Sequence, residues 1–353
     1  MDSKETMKQL YQHAVNYNFQ TFHQLLLASE AFLPAASLRE AYLLRGQMKL
    51  YAADGSFLED LEKAGAQPAP PYACLNDKWQ PDTPNRLAVF KNTAGGLARF
   101  LEKLGEGEER LDSSLGIAGR GMVWQLRSEI FYFSGRIDEA MAIAERQQYI
   151  SPVNPTATIL AQCTMFRCYL AKGVPDKAQE HMLNMIRLAK TYPECVLTYQ
   201  SIRRWASATT GWSGDNPRFH TTPQGETTSV LDDRVHTIRE GYSRFSPLEE
   251  AFVDYGRNNY PRACAMRRYY MEIFNAVFWM ETGDSFQAEE HFLRAYRTAV
   301  NSGMIMPFVE YGAHLLPLLE HISKSKLECS TEWIDDIASQ AEQYEKSLSG
   351  YRS

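Results

Sequence analysis

Four side chains with the chemistry of a ligand-binding pocket occur at related positions in two neighbouring sequence units. Gln125, Glu129 and Tyr132 are spaced four and three residues apart, so they share one face of a helix. Arg167 lies at the related position of the next unit. Amide, carboxylate, phenol and guanidinium groups that converge beside aromatic rings could orient a ligand through hydrogen bonds. The alternative is a structural ion pair between Glu129 and Arg167 on adjacent helices.

Two further side chains complete the candidate site. Arg204 lies in the run 203–205 (RRW). An arginine can stack on a ring and form two parallel hydrogen bonds, which suits an anionic or sugar-like ligand. The alternative for this run is a solvated helix face. Tyr270 occupies an inward position of a third unit. The predicted ligand-binding residues are therefore Gln125, Glu129, Tyr132, Arg167, Arg204 and Tyr270.

Other functional classes find no support in the sequence. The arginines and tyrosines of residues 262–270 resemble a nucleic-acid patch, but the net charge of -6 and the isoelectric point near 5.8 argue against direct nucleic-acid contact. The sequence has no G-x-x-x-x-G-K-[ST], G-x-S-x-G or H-E-x-x-H motif, and its eight histidines are dispersed. We therefore expect no enzyme, no catalytic residue, no metal and no cofactor.

The elements that must position these side chains carry the pattern of a tetratricopeptide repeat. Such a unit has roughly 34 residues, with an aromatic, a small and a second aromatic residue on its first helix, glycine in the turn and alanine on its second helix. The first clear unit has this order in Trp124, Ser128, Phe131, Gly135, Ala140 and Pro152. The second and third units have their turns at Gly173 and Gly283, followed by Ala178 and Ala288. Stacked hairpins of this kind leave a concave surface, which the first helices line.

The predicted fold is all-α, with tetratricopeptide-like helical hairpins stacked in a right-handed superhelix. We expect N-terminal hairpins over 1–63, an irregular linker or loop over 64–86, the superhelix over 87–323 with a long loop at about 211–229, and a C-terminal helix and tail over 324–353. Within these regions the sequence predicts a charged turn over 105–110 and helices over 306–323 and 331–347. The sequence shows neither a membrane-spanning run nor a signal peptide, so we expect a cytoplasmic protein without membrane contact.

Two segments resemble a narrower family. Residues 304–312 (MIMPFVEYG) and 119–129 (GRGMVWQLRSE) look like parts of the tetratricopeptide-like region in large LuxR-type transcriptional regulators of the MalT-like group. The resemblance covers roughly residues 85–345. In that group a nucleotide-binding module, a helical sensor region and a DNA-binding helix-turn-helix act as one switch. This sequence lacks the phosphate-binding loop and stops at Ser353, where the DNA-reading helices would begin.

The resemblance implies a ligand-sensing and protein-interaction region of such a regulator. A small effector would bind the concave face of the superhelix and couple to self-association. The alternative is a stand-alone tetratricopeptide scaffold that holds a peptide or a partner helix in the same groove.

Overall fold

In the computed structural model, the described residues form helices joined by turns, with no strand among them. The description covers residues 2–15, 18–65, 94–150, 155–210 and 265–352. The prediction of an all-α protein is confirmed for these residues. Most of the predicted linker and the whole loop at 211–229 lie outside them.

Two hairpins form the N-terminal part of the chain. The helices are α1 (Ser3–Val15), α2 (Phe19–Ser29), α3 (Ala35–Tyr51) and α4 (Phe57–Gly65). The Asn18 side chain caps α2 by accepting a hydrogen bond from the Thr21 amide. Leu10, Phe22 and Phe57 are fully buried, so these four helices share an apolar core.

The central part contains the first two units that the sequence predicts. Its helices are α5 (Gly96–Phe133), α6 (Ile137–Ile150), α7 (Pro155–Ala171), α8 (Pro175–Thr191) and α9 (Val196–Thr210). Helix α7 packs against both α5 and α6, and α9 packs against both α7 and α8. Each hairpin thus covers the apolar face of the next, as neighbouring units do in helical repeats.

The predicted turn glycines lie in turns. Gly135 and Gly173 have φ angles of +75° and +68°, a conformation that costs a residue with a Cβ atom. Ala140 and Ala178 follow on the second helices and are fully buried, which lets the two helices of each hairpin approach closely. The local order of the repeat therefore has a structural counterpart in both hairpins.

Two local predictions were wrong. Helix α5 continues through 105–110, where a charged turn was expected. A glycine in a helix costs only about 1 kcal/mol relative to alanine, and the burial of Leu97, Phe100 and Leu104 on the same helix outweighs that cost. The expected single helix over 306–323 is divided by Gly312, which has a φ angle of +55°.

The third hairpin and the C-terminal helices fold back onto the central part. The helices are α10 (Ala265–Thr282), α11 (Ser285–Ser302), α12 (Met306–Val309), α13 (Leu316–Lys324) and α14 (Thr331–Arg352). Helix α11 contacts α5, where the Gly95 amide donates a 3.0 Å hydrogen bond to the Asn301 carbonyl. Helix α14 packs across α7, α8 and α9. None of the described helices has the length and apolarity that crossing a membrane requires.

Candidate functional site

A buried carboxylate joins helices that lie far apart in the sequence. The Tyr132 hydroxyl on α5 donates a 2.6 Å hydrogen bond to Glu310 Oε1. The Tyr270 hydroxyl on α10 donates a 2.8 Å hydrogen bond to the other oxygen, Oε2. Glu310 directly follows α12 and is only 4% exposed. Both oxygens of one carboxylate are thus held by phenols from two different hairpins.

The positive charge of this cluster comes from Arg167 on α7. Its guanidinium carbon lies 4.5 Å from the centre of the Trp205 ring, 5.6 Å from that of Tyr132 and 5.8 Å from that of Phe133. Burial has the largest single effect and would by itself lower the pKa of Arg167, but the electrostatic effects of Glu310, Tyr270, Tyr132 and Cys163 together outweigh it and the pKa is raised. Arg167 therefore stays charged inside a ring of aromatic side chains, where its burial strengthens the cation–π attraction.

The two phenols of the cluster stay protonated. Burial raises the pKa of Tyr132 well above its ordinary value of 10.0, and the nearby negative charge of Glu310 raises it further. The pKa of Tyr270 is raised by the same two causes. Both hydroxyls therefore act as donors toward the carboxylate across the physiological pH range. We refer to Tyr132, Arg167, Tyr270 and Glu310 as the carboxylate cluster.

Glu310 reaches the cluster because the segment that carries it runs through the interior. In residues 304–312, the central segment, all positions except Ile305 are buried. The Ile305 amide donates a 2.7 Å hydrogen bond to the Phe133 carbonyl, and the Tyr269 hydroxyl donates a 2.6 Å bond to the Met304 carbonyl. Phe308 packs edge-to-face against Phe292 and Trp333. Backbone hydrogen bonds and aromatic packing together fix the position of Glu310.

Gln125 and Glu129 belong to a second buried chain of hydrogen bonds. Gln147 Nε2 on α6 donates to Gln125 Oε1 at 3.0 Å and to the Ala157 carbonyl at 2.7 Å. Gln125 Nε2 in turn donates to Glu129 Oε1 at 2.6 Å. The chain connects α5 and α6 to the first turn of α7. Its geometry is that of a link between neighbouring hairpins.

The structure brings together three of the six predicted ligand-binding residues. Tyr132 and Tyr270 donate to Glu310, and Arg167 lies over the Tyr132 ring, near enough for the charge of Glu310 to raise its pKa. Gln125 and Glu129 belong to the second chain of hydrogen bonds, and the side chain of Arg204 lies outside the described part of the chain. Glu310 is not among the residues that the sequence predicts, although it lies in residues 304–312, the segment that resembles LuxR-type regulators. A signal was present, because a single carboxylate within an apolar run of residues requires a buried partner. Trp205, beside the predicted Arg204, supplies the ring nearest to Arg167.

Histidine–glutamate pairs attach the C-terminal region to the third hairpin. His321 Nε2 lies 2.8 Å from Glu289 Oε1, and His314 Nδ1 lies 3.3 Å from Glu281 Oε1. Each pair joins a helix of the hairpin to the residues that follow the central segment. Throughout the described residues, no group of three or more His, Cys, Asp or Glu side chains is arranged to hold a metal ion.

The sequence matches no protein-family model and no curated protein. The likeness of residues 304–312 to LuxR-type regulators therefore stays a prediction.

Proposed function

We propose that this chain is the ligand-sensing and self-association region of a LuxR-type regulator, with tetratricopeptide-like hairpins that recognise a small effector. The effector binds at the carboxylate cluster, on the face that the first helices of the hairpins line. One observation carries the proposal: the segment that resembles these regulators holds Glu310 in hydrogen bonds with Tyr132 and Tyr270, within electrostatic reach of Arg167.

The chemistry of the cluster supports a role beyond stability. Removing two charges from water costs several kcal/mol per ion, and apolar side chains of the same volume would avoid that cost. The cluster also joins α5, α7, α10 and the central segment, so a change there alters how separate hairpins are held. A buried ionic contact with these properties is suited to a switch, because a ligand can replace one of its partners.

The coupling requires two states with different affinity for the effector. In the state described here, the central segment covers Tyr132, Arg167 and Tyr270. In the second state the effector binds these residues, and the central segment with the helices that follow it moves away. The surface uncovered on α7, α8 and α9, against which α14 packs, becomes available for self-association.

A melting screen against a library of small metabolites tests the proposal. We expect at least one compound to raise the melting temperature, because a ligand at a hundredfold excess over its dissociation constant adds about 2.7 kcal/mol. The same compound should change the apparent mass in size-exclusion chromatography. Both effects should be lost in Arg167→Met and kept in Arg187→Met, a control at an exposed arginine on α8.

Two results would count against the sensor. One is a screen in which no compound changes the melting temperature. The other is a compound whose effect is equal in Arg167→Met and in the wild-type chain. Binding of a peptide without any response to small molecules would favour the scaffold alternative, in which the peptide must displace the chain's own central segment.

A further inference from the structure

We propose that the carboxylate cluster is a receptor for a carboxylic acid, which the chain's own Glu310 occupies in the state described here. The effector is then a carboxylate that binds by taking the place of the Glu310 side chain. This inference depends on the proposed sensing function, whose effector it assigns to a chemical class.

The polar groups around Glu310 match a carboxylate in number and direction. Two phenol hydroxyls donate to different oxygens of the same group, at 2.6 and 2.8 Å. Of the groups that raise the pKa of Arg167, Glu310 has the largest effect, so the positive charge of Arg167 favours an anion at this position. Hydroxyl donors and a cation favour an anion with two oxygens, and they disfavour an ammonium group, which has no acceptor and which the charge of Arg167 would repel.

The position of Glu310 in the chain allows an external carboxylate to replace its side chain. The carboxylate belongs to a short segment between α11 and α13 rather than to the middle of a long helix. Its contacts with Tyr132 and Tyr270 bridge separations of 178 and 40 residues, so no local structure of Tyr132 or Tyr270 depends on it. An external carboxylate can therefore satisfy the same donors while α5, α7 and α10 keep their own helical hydrogen bonds.

Chemical rescue of Glu310→Ala with acetate tests the inference. The substitution removes Cγ and the carboxylate, and these are the two carbon positions of acetate. We expect Glu310→Ala to melt several degrees below the wild-type chain, and acetate to restore most of the loss in a saturable manner. If Glu310→Ala is unfolded in chloride, circular dichroism should show that acetate restores its helices.

Matched controls separate binding from general salt effects. Acetamide, which has the shape of acetate without its charge, and sodium chloride at equal ionic strength should give no restoration. Glu320→Ala removes an exposed carboxylate of α13 that pairs with Lys324 at 2.6 Å, and acetate should not raise its melting temperature by more than it raises that of the wild-type chain. In the double variant Arg167→Met with Glu310→Ala, the rescue should be lost.

The inference is overturned if acetate raises the melting temperature of Glu310→Ala no more than that of Glu320→Ala, or fails to refold an unfolded Glu310→Ala chain. Equal rescue by acetamide would also overturn it, because the charge would then be irrelevant. The metabolite screen on the wild-type chain tests the sensing function independently of this rescue experiment. If acetate rescues Glu310→Ala but no metabolite acts on the wild-type chain, the carboxylate receptor is supported and the sensing function is contradicted. If an uncharged metabolite acts on the wild-type chain but acetate gives no rescue, the sensing function is supported and the carboxylate receptor is contradicted.

Discussion

Ser347, close to the end of α14, donates a 2.7 Å hydrogen bond to the carbonyl of Leu170, the next-to-last residue of α7. The contact bridges 177 residues and places α14 directly on the turn at Gly173. A Cβ atom at Gly173 would meet the Ser347 Cβ at 3.3 Å, and one at Gly135 would meet Ile305 Cδ1 at 2.8 Å. The turns of two hairpins therefore form part of the surface that receives the C-terminal region.

Gly135→Ala should destabilise the protein more than Gly283→Ala. Both glycines have positive φ angles, +75° and +91°, so alanine pays about 1–2 kcal/mol of backbone strain at either position. Only Gly135 faces Ile305, whereas the space around Gly283 is open. We expect the free energy of unfolding in urea to fall further for Gly135→Ala by about 1 kcal/mol or more. Equal losses would show that the contact with Ile305 contributes nothing.

Tyr132→Phe and Tyr270→Phe should each cost about 1.5–3 kcal/mol of unfolding free energy, because each removes a hydrogen bond to the charged carboxylate of Glu310. The loss of unfolding free energy in the double variant should differ from the sum of the two single losses, because both hydroxyls share one acceptor. Tyr192→Phe at the exposed end of α8 is the control and should change stability by less than about 0.5 kcal/mol. Strict additivity in urea denaturation would contradict a shared site.

Asp60→Asn should destabilise the N-terminal hairpins strongly. Asp60 is fully buried, with Arg45 Nη2 at 2.6 Å and Lys49 Nζ at 2.8 Å. Removal of its charge leaves two cations without their counter-charge, which costs about 3–5 kcal/mol when the partners are buried. The neighbouring exposed residue provides the control, Glu59→Gln, for which thermal unfolding should be nearly unchanged. A small loss in Asp60→Asn would mean that water reaches this pair.

His181 should make the protein less stable in mild acid. Burial lowers the pKa of His181 below its ordinary value of 6.5, while Nδ1 lies 2.6 Å from Gln162 Oε1 and the ring stacks on Tyr169. Well above pH 6.5 the histidine is neutral in both the folded and the unfolded chain. As the pH falls from 6.5 toward the lowered pKa, the unfolded chain binds the proton first and stability is lost, by at most about 1.4 kcal/mol per pH unit.

His181→Phe keeps the stacking on Tyr169 and removes the titration. Unfolding free energies measured between pH 7.5 and 5.5 should therefore depend less on pH in this variant than in the wild-type chain. A His181→Phe chain with an unchanged slope would assign the acid sensitivity to other groups.

Local signals were sufficient for the hairpins. In each hairpin the turn glycine and the small contact residue are only five positions apart, as in Gly135 with Ala140 and Gly173 with Ala178. Nearby positions in the sequence therefore specify both the left-handed turn and the close contact between the helices. The same signals predicted that Gln125, Glu129, Tyr132 and Arg167 would converge on neighbouring first helices, and of these the guanidinium of Arg167 lies 5.6 Å from the centre of the Tyr132 ring. These inferences need nothing beyond helical spacing and the packing of one unit on the next.

Glu310 could not be derived in this way. Its contact with Tyr132 depends on how the chain returns after 178 residues, and no periodicity specifies that path. The continuity of α5 through 105–110 was missed for a related reason, since glycine predicts a break locally while burial at Leu104 favours helix. In both cases long-range packing decided the outcome, and only the isolated carboxylate in residues 304–312 indicated that a partner was needed.

The long path between Tyr132 and Glu310 also has a consequence for protein synthesis. At about 5–20 residues per second, a ribosome needs roughly 9–36 s to make the residues that separate them. During that interval Tyr132 and then Arg167 have emerged without their carboxylate, and the helices that carry them expose apolar surface. The packing around Tyr132 therefore stays incomplete until residue 310 has been made, and until then α5 lacks the central segment that packs against it.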